Sequence, residues 1–182
     1  MKDSLVWVDL EMTGLDPENH VILEIACIVT DAHLNIVAEG PGLAIAQKED
    51  TLRSMNGWSR KHHLASGLLD RVRTSSHDCR LAENEVLNFV SAHCERGHSP
   101  LCGNSVWQDR RFMAKQMPRL EAFLHYRIID VSSVKELVKR WYPSLPPFKK
   151  KKSHLAMNDI RESISEMEYY RRKVFVEDVY GV

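Results

Sequence analysis

Two acidic residues lie in an otherwise apolar stretch near the start of the chain, Leu5 to Leu15. This stretch is typical of a buried β-strand, and side chains alternate along a strand. Asp9 and Glu11 would therefore share one face, about 7 Å apart. Two buried carboxylates that close repel each other and lose their hydration. A cation between them would relieve both costs; the alternative is a strand end where both acids reach solvent. The small polar turn Thr13-Gly14 favours a site, because a ligand could approach the backbone there.

A third acid, Asp109, follows Asn104-Ser105 where a short apolar strand, Pro100 to Gly103, leads into a helix. Strand ends of this kind are the usual place for a binding site in α/β folds. The alternative is that Asp109 serves only to stabilise the helix dipole from the first turn of the helix.

A fourth acid, Asp159, follows a histidine, His154, by five residues. Residues five apart on a helix are separated by about 140°, so the two side chains would not share a helix face. They converge only if His154 precedes the helix and Asp159 lies in its first turns. The lysine-rich loop before His154 favours that placement. The alternative is a surface histidine and an acid at a helix N-terminus.

Four carboxylates and one histidine at strand ends and helix starts form a set with a recognisable chemistry. Carboxylates are hard ligands, which suit Mg²⁺ or Mn²⁺ better than zinc. Two such cations can activate a water and stabilise the leaving oxygen of a phosphodiester. A neutral histidine nearby could accept the proton of that water.

The length and composition of the chain predict that the elements positioning these residues form one domain. The chain has 182 residues, 43% of them hydrophobic and 27% charged, with a formal net charge of zero and a pI of about 7.1. That charge balance argues against a protein that coats long nucleic acid through a broad basic surface. No apolar run is long enough to span a membrane. The first strand begins by about Leu5, so we expect no targeting peptide ahead of it and a cytoplasmic location, with a mitochondrial one as the alternative.

Hydrophobic periodicity predicts strands first and alternation of helices and strands later. The predicted strands are Leu5 to Leu15, Val21 to Thr30, Ile36 to Ala46 broken at Gly40-Pro41-Gly42, Pro100 to Gly103, and Arg127 to Asp130. The predicted helices are short ones within Thr51 to Leu69, then Ala82 to Glu95, Trp107 to Met117, one behind a capping box of Ser133 and Glu136, and Leu155 to Arg172. This order predicts a single α/β domain, residues 1–182, with helices flanking a mixed sheet that starts as an antiparallel meander.

Three motifs carry a resemblance to a known family: D-x-E-x-T-G at Asp9, N-x-x-x-x-D at Asn104 and H-x-x-x-x-D at His154. In this order they resemble the DEDDh 3′-5′ exonucleases, which have an RNase H-like fold, and within them the oligoribonucleases. The matching stretches cover most of the chain: Trp7 to Pro17, Leu34 to Pro41, Cys102 to Phe112, His125 to Tyr142, and Asp159 to Tyr170. The resemblance implies two divalent cations, Mg²⁺ or Mn²⁺, held by Asp9, Glu11, Asp109 and Asp159, with His154 as general base. Asn158 stands where many relatives carry a second acid.

The resemblance also implies a substrate, a very short oligoribonucleotide, chiefly a dinucleotide, that is hydrolysed to 5′-mononucleotides. Beyond the Thr13-Gly14 turn, Leu15 would part the two bases and Trp58 would stack on one of them, whereas core packing is the alternative for both. The implied cap on the 5′ phosphate consists of Ser105, Arg127, Ser132 and Ser133. The family is a homodimer in which the residue matching Tyr126 comes from the partner subunit, so we expect a homodimer here.

Two other functions stay open at this point. One is another DEDDh exonuclease, of the proofreading or tRNA-trimming type, against which the phosphate-cap residues argue. The other is a non-catalytic nucleic-acid-binding module, against which the five filled catalytic positions argue. The basic run Lys149 to Lys152 is either a solvated loop or a segment that attracts phosphate.

Two groups of potential metal ligands are not assigned to a site. The scattered cysteines, Cys27, Cys79, Cys94 and Cys102, contain no C-x-x-C pair, and we expect free thiols that take part in packing. His62 and His63 are adjacent, and adjacent residues diverge on a helix, so a surface or interface role is predicted for them.

Overall fold

A five-stranded mixed sheet forms the centre of the computed structural model, which describes residues 3–150 and 155–175. The strands are β1 (Leu5–Met12), β2 (Ile22–Thr30), β3 (Ile36–Ala44), β4 (Pro100–Gly103) and β5 (His125–Asp130). Their order across the sheet is β3-β2-β1-β4-β5. The first three strands form an antiparallel meander, and β1, β4 and β5 run parallel. The predicted α/β class and the meander are confirmed.

Helices cover both faces of the sheet. They are α1 (Glu49–Arg53), α2 (Gly57–Ala65), α3 (Leu68–Thr74), α4 (Cys79–His93), α5 (Trp107–Gln116), α6 (Pro118–Glu121), α7 (Val131–Trp141) and α8 (Ala156–Val174). None of the helices in the described ranges combines the length and the apolar content needed to cross a membrane.

Strand β1 divides the core because its side chains alternate between the two faces of the sheet. Val6, Val8 and Leu10 belong to the apolar core that α4 and α5 cover. Trp7 belongs to the opposite core, which α8 covers. Asp9 continues the Trp7 face, so alternation directs both carboxylates of the strand toward α8.

The third strand differs from its prediction. The structure continues β3 through Gly40-Pro41-Gly42 to Ala44, where the sequence predicts a break. Among the strands of the described residues, β3 pairs with β2 alone and therefore lies at the sheet edge. A proline is tolerated in an edge strand because the N–H it lacks would have faced solvent.

The predicted capping box of Ser133 and Glu136 is wrong. Helix α7 begins at Val131, so Ser133 lies inside its first turn, and the N-cap is Asp130, whose carboxylate accepts the N–H of Ser132 at 2.9 Å. An aspartate at the end of β5 caps the helix directly, which starts it three residues earlier than predicted. The four cysteines are free thiols, as predicted, and Cys27, Cys94 and Cys102 are buried.

Candidate active site

Three carboxylates meet where the end of β1 faces the start of α8. One oxygen from each of Asp9, Glu11 and Asp159 lies within 4.8 Å of the others. The first two reach this point through strand alternation, and Asp159 does so from the first turn of α8. His154 lies outside the described residues. Three oxygen donors this close are a ligand set that fits a hard divalent cation.

Asp109 lies beside this cluster and supports the backbone of β1. It is buried in the first turn of α5, and its Oδ1 accepts the N–H of Leu10 at 2.9 Å. The contact joins residues 99 positions apart, so Asp109 does more than stabilise the dipole of α5 from its first turn. Its carboxylate repels that of Asp9.

The electrostatics of the cluster favour a cation. Burial first, and then the neighbouring carboxylates, raise the pKa of Asp9 well above its usual value. Burial followed by Asp159 and Glu24 raises the pKa of Glu11 to about 8. Burial raises the pKa of Asp109 to about 7, even though the bond from Leu10 opposes the change. A divalent cation would remove this mutual repulsion, so the residues present fit a metal site.

Glu24 is a further carboxylate at the site, and the sequence reasoning missed it. It lies on β2 directly opposite Glu11, is buried, and forms an ion pair with Arg71, whose Nη1 is 2.5 Å from Glu24 Oε1. Its Oε2 also accepts the N–H of Ala156, the first residue of α8, at 3.4 Å. Glu24 thus connects the second strand to the helix that carries Asp159. The sequence did contain a signal that could have identified Glu24, because it is the one charged residue in the otherwise apolar predicted strand Val21 to Thr30.

His63 is buried next to the carboxylates, so the predicted surface or interface role is wrong for it. Only 2% of the residue is exposed; Nε2 lies 2.9 Å from the Met12 carbonyl oxygen, and Nδ1 lies 3.7 Å from Glu11 Oε2. Helix α2 packs this face against the end of β1. His62 diverges, as predicted, and its ring stacks on Trp58 at 3.9 Å.

An open cleft of about 380 Å³ adjoins Glu11. Leu15 is 64% exposed and Trp58 is 65% exposed, which excludes core packing for both side chains. The residues that line the cleft are Leu10, Glu11, Met12, Gly14, Leu15, Asn56, Trp58, Ser59 and His63. Two large apolar side chains facing solvent beside a carboxylate cluster suit a flat, partly apolar ligand such as a nucleobase.

Contacts with neighbouring residues explain why the Thr13-Gly14 turn consists of small residues. The Thr13 hydroxyl accepts the N–H of Val21 at 3.0 Å, which fixes the chain as it returns toward β2. A Cβ on Gly14 would lie 2.5 Å from Nε2 of His20. The imidazole therefore occupies the space that a side chain at position 14 would need, while Gly14 also lines the cleft beside Leu15.

Two hydroxyls predicted to bind a phosphate meet between β4 and α7. Ser105 Oγ and Ser132 Oγ are 3.1 Å apart, and the N–H of Ser105 donates to Ser132 Oγ at 3.0 Å. Ser105 has a positive φ of 52°, which is uncommon for a residue with a side chain. Ser133 follows on α7 and is exposed.

The two other predicted substrate-binding residues of this region are neighbours on β5. The Arg127 guanidinium lies 5.3 Å from the ring centre of Tyr126, and Tyr126 is 71% exposed.

The basic run before α8 is only partly described. Lys149 is exposed, whereas Lys150 Nζ lies 2.8 Å from Oε2 of the buried Glu166. Lys150 thus pairs with a buried carboxylate, which differs from the solvated loop considered for this run. Lys151 and Lys152 lie outside the described residues.

Comparisons with known proteins identify the family. The family model described as "Exonuclease" matches residues 6–167. An oligoribonuclease of Dichelobacter nodosus is 57% identical over 175 residues, covering 96% of this chain and 97% of the relative. One from Shewanella loihica is 57% identical over 173 residues, covering 94% and 96%.

Solved structures of longer exonucleases share the fold. Exonuclease I from Methylocaldum szegediense superposes with a TM-score of 0.72 at 17% identity, over 94% of this chain and 41% of that chain. Exonuclease I of E. coli in complex with a 5cy-dT13 oligonucleotide gives a TM-score of 0.72 at 14% identity, over 96% and 41%. This likeness confirms the RNase H-like fold. With the sequence relatives, it shows that the chain belongs to the exonuclease family and, within that family, to the oligoribonucleases.

Proposed function

We propose that this protein is a metal-dependent 3′-5′ exoribonuclease that hydrolyses very short oligoribonucleotides, chiefly dinucleotides, to 5′-mononucleotides. The observation that carries the proposal is the carboxylate cluster of Asp9, Glu11 and Asp159 beside a cleft with two exposed apolar side chains. One domain, residues 1–182, would hold the whole site.

The carboxylates would hold two divalent cations, Mg²⁺ or Mn²⁺. Asp9, Glu11 and Asp159 would supply the close set of oxygens, and Asp109, which lies beside them, would be a further ligand. Such cations provide activation of a water molecule and stabilisation of the charge that develops on a phosphodiester during hydrolysis. His154 would accept the proton of the attacking water.

The cleft would hold the two bases of a dinucleotide. Leu15 would part the bases, and Trp58, with its ring supported by His62, would stack on one of them. Stacking of this kind is worth roughly 1–3 kcal/mol per base. Both side chains are exposed without a ligand, so base binding would bury apolar surface that is now in water.

A 5′ phosphate would bind at the hydroxyl pair. Ser105, Ser132 and Ser133 offer hydroxyls, and Arg127 offers a guanidinium, which binds phosphate through charged hydrogen bonds. A cap at this end would exclude longer chains and explain a preference for dinucleotides.

We also propose a homodimer and a cytoplasmic location. Tyr126 lies on β5, which forms an edge of the sheet, and its exposed ring could reach the active site of a partner subunit. A stable, active monomer in gel filtration would contradict this assembly.

The function is tested by comparing substrates of different length. With Mn²⁺, the purified protein should hydrolyse a 5′-phosphorylated diribonucleotide faster than a longer RNA, and Asp109→Ala should abolish both reactions. Equal or faster hydrolysis of the longer RNA would favour another exonuclease of the same family. Full activity in Asp109→Ala would contradict the carboxylate assignment.

A further inference from the structure

A buried carboxylate on α8 has no role in the proposed chemistry. Glu166 is 0% exposed and accepts four hydrogen bonds. Its Oε1 lies 2.8 Å from Lys135 Nζ and 3.0 Å from the Tyr170 hydroxyl, and its Oε2 lies 2.8 Å from Lys150 Nζ and 3.3 Å from Asn104 Nδ2. The contacts come from α7, the loop before α8, α8 itself and the segment after β4.

A charged carboxylate at this buried position loses its hydration, which points to a role for Glu166 other than stability. Burial opposes ionisation of Glu166, but the hydrogen bonds from Lys135 and Lys150 outweigh it and hold the pKa of the carboxyl below its usual value. Neighbouring positions on the same helix, Ile164 and Met167, are part of an apolar core. An apolar residue would often stabilise such a site equally well, since buried ion pairs seldom add net stability.

The carboxylate determines how the Asn104 amide is oriented. Asn104 Nδ2 donates to Glu166 and also to Ser163 Oγ at 2.7 Å, so its Oδ1 points the other way. There Oδ1 accepts the hydroxyl of Ser132 at 3.1 Å. The reversed amide would place a donor against the Ser132 hydroxyl and an acceptor against the Glu166 carboxylate. The ion-paired carboxylate therefore selects one of two orientations.

Asn104 joins the two ends of the proposed substrate site. On one side it holds Ser132, whose oxygen accepts the N–H of Ser105. On the other side it holds Ser163, whose hydroxyl donates to the carbonyl of Asp159 at 2.8 Å. Asp130 also holds the hydroxyl pair, because its Oδ1 accepts the N–H groups of Ser105 and Ser132, both at 2.9 Å. The Asn104 amide is the side chain that connects the hydroxyls of this pair to α8 and the carbonyl of Asp159.

We propose that Glu166 is a positioning residue that determines specificity for a 5′-phosphorylated dinucleotide, because it orients Asn104 and thereby the hydroxyls of Ser105 and Ser132. This inference rests on the proposed function of that hydroxyl pair. Lys135 and Lys150 act by keeping the carboxylate charged.

The test measures preference for a 5′ phosphate rather than activity alone. Hydrolysis of a diadenylate with a 5′ phosphate is compared with hydrolysis of the same dinucleotide with a 5′ hydroxyl. In Glu166→Gln, kcat/KM for the phosphorylated substrate should fall about tenfold, mainly through KM, as expected for a lost charged hydrogen bond. The 5′-hydroxyl substrate should change about twofold or less, so the preference collapses.

A matched control and a rescue variant complete the design. Glu168→Gln makes the same substitution on the same helix, at a residue with no hydrogen bond or ion pair in the described part of the chain, and should keep the wild-type preference. Asn104→Asp places a carboxylate against Glu166 and should lose the preference. The double variant Asn104→Asp/Glu166→Gln restores a donor facing an acceptor and should recover more of the preference than either single variant.

The outcomes separate the two proposals. A wild-type protein without a 5′-phosphate preference would overturn the assignment of the hydroxyl pair, and the positioning role with it. A wild-type preference that Glu166→Gln leaves intact would overturn the positioning role alone. Equal losses on both substrates, with no recovery in the double variant, would make Glu166 a merely structural residue and would also overturn the proposal.

Discussion

Replacing Glu11 with glutamine should stabilise the metal-free protein although it removes activity. Burial and the carboxylates of Asp159 and Glu24 raise the pKa of Glu11 from 4.5 to about 8. Below pH 4.5 the carboxyl is protonated in both the folded and the unfolded chain. Between pH 4.5 and pH 8 the unfolded chain releases a proton that the folded chain retains, so rising pH favours unfolding.

The expected effect follows from the size of that pH interval. One pH unit within it changes the free energy of unfolding by about 1.4 kcal/mol for one group. From pH 4.5 to pH 7, Glu11 therefore lowers the free energy of unfolding by about 3 kcal/mol. Glu11→Gln removes this dependence, so the variant should match the wild type near pH 4.5 and exceed it by about that amount at pH 7.

Urea denaturation in the presence of EDTA, at several pH values between 4.5 and 8.5, measures the difference. Glu168→Gln serves as the control and should follow the wild type at each pH. Mg²⁺ should then stabilise the wild type more than Glu11→Gln, because the cation replaces the proton in relieving repulsion. Parallel stability curves for the wild type and Glu11→Gln would refute the electrostatic reasoning.

Three further sets of substitutions, centred on Trp58, Gly14 and Asp109, test separate parts of the site. Trp58→Ala should weaken dinucleotide binding by about 5- to 150-fold, as expected for one stacked base, and isothermal titration should show this with only a small change in Tm, because most of the residue is exposed and the lost contact is with the neighbouring His62 ring. Gly14→Ala should lower stability by about 1–3 kcal/mol in thermal denaturation, since the new Cβ meets the His20 ring, and His20→Ala in the same chain should restore part of it. Asp109→Asn should fold normally but be inactive, whereas Asp109→Ala should also lose about 1–3 kcal/mol of stability in urea denaturation because the Leu10 N–H loses its acceptor. Equal stability of the two Asp109 variants would contradict that last prediction.

The sequence was sufficient to predict the mixed sheet and the shared face of Asp9 and Glu11, because both follow from local periodicity. Strand alternation depends on backbone geometry alone, and the apolar residues around Asp9 and Glu11 formed a run long enough to identify the strand. The placement of Asp159 in the first turn of its helix also agreed with the structure.

The features that could not be predicted depend on contacts between distant segments. His63 is buried because α2 packs on the end of β1, and nothing in the local pattern of α2 indicates this. Glu24 pairs with Arg71, 47 residues away, so its isolated charge could not be explained from β2 alone. The start of α7 was misjudged because Asp130, the end of a strand, also acts as the cap of the next helix.

The bond between Asp109 and the Leu10 amide has a practical consequence. Strand β4 pairs with β1 only at Val6 and Trp7, so beyond them a side chain takes the place of a neighbouring strand for this amide. The exchange rate of one backbone proton therefore depends on a carboxylate of the proposed metal site. A cation that fixes the Asp109 carboxylate should slow deuterium uptake at Leu10, and mass spectrometry or NMR could then follow metal binding at a single amide without any substrate.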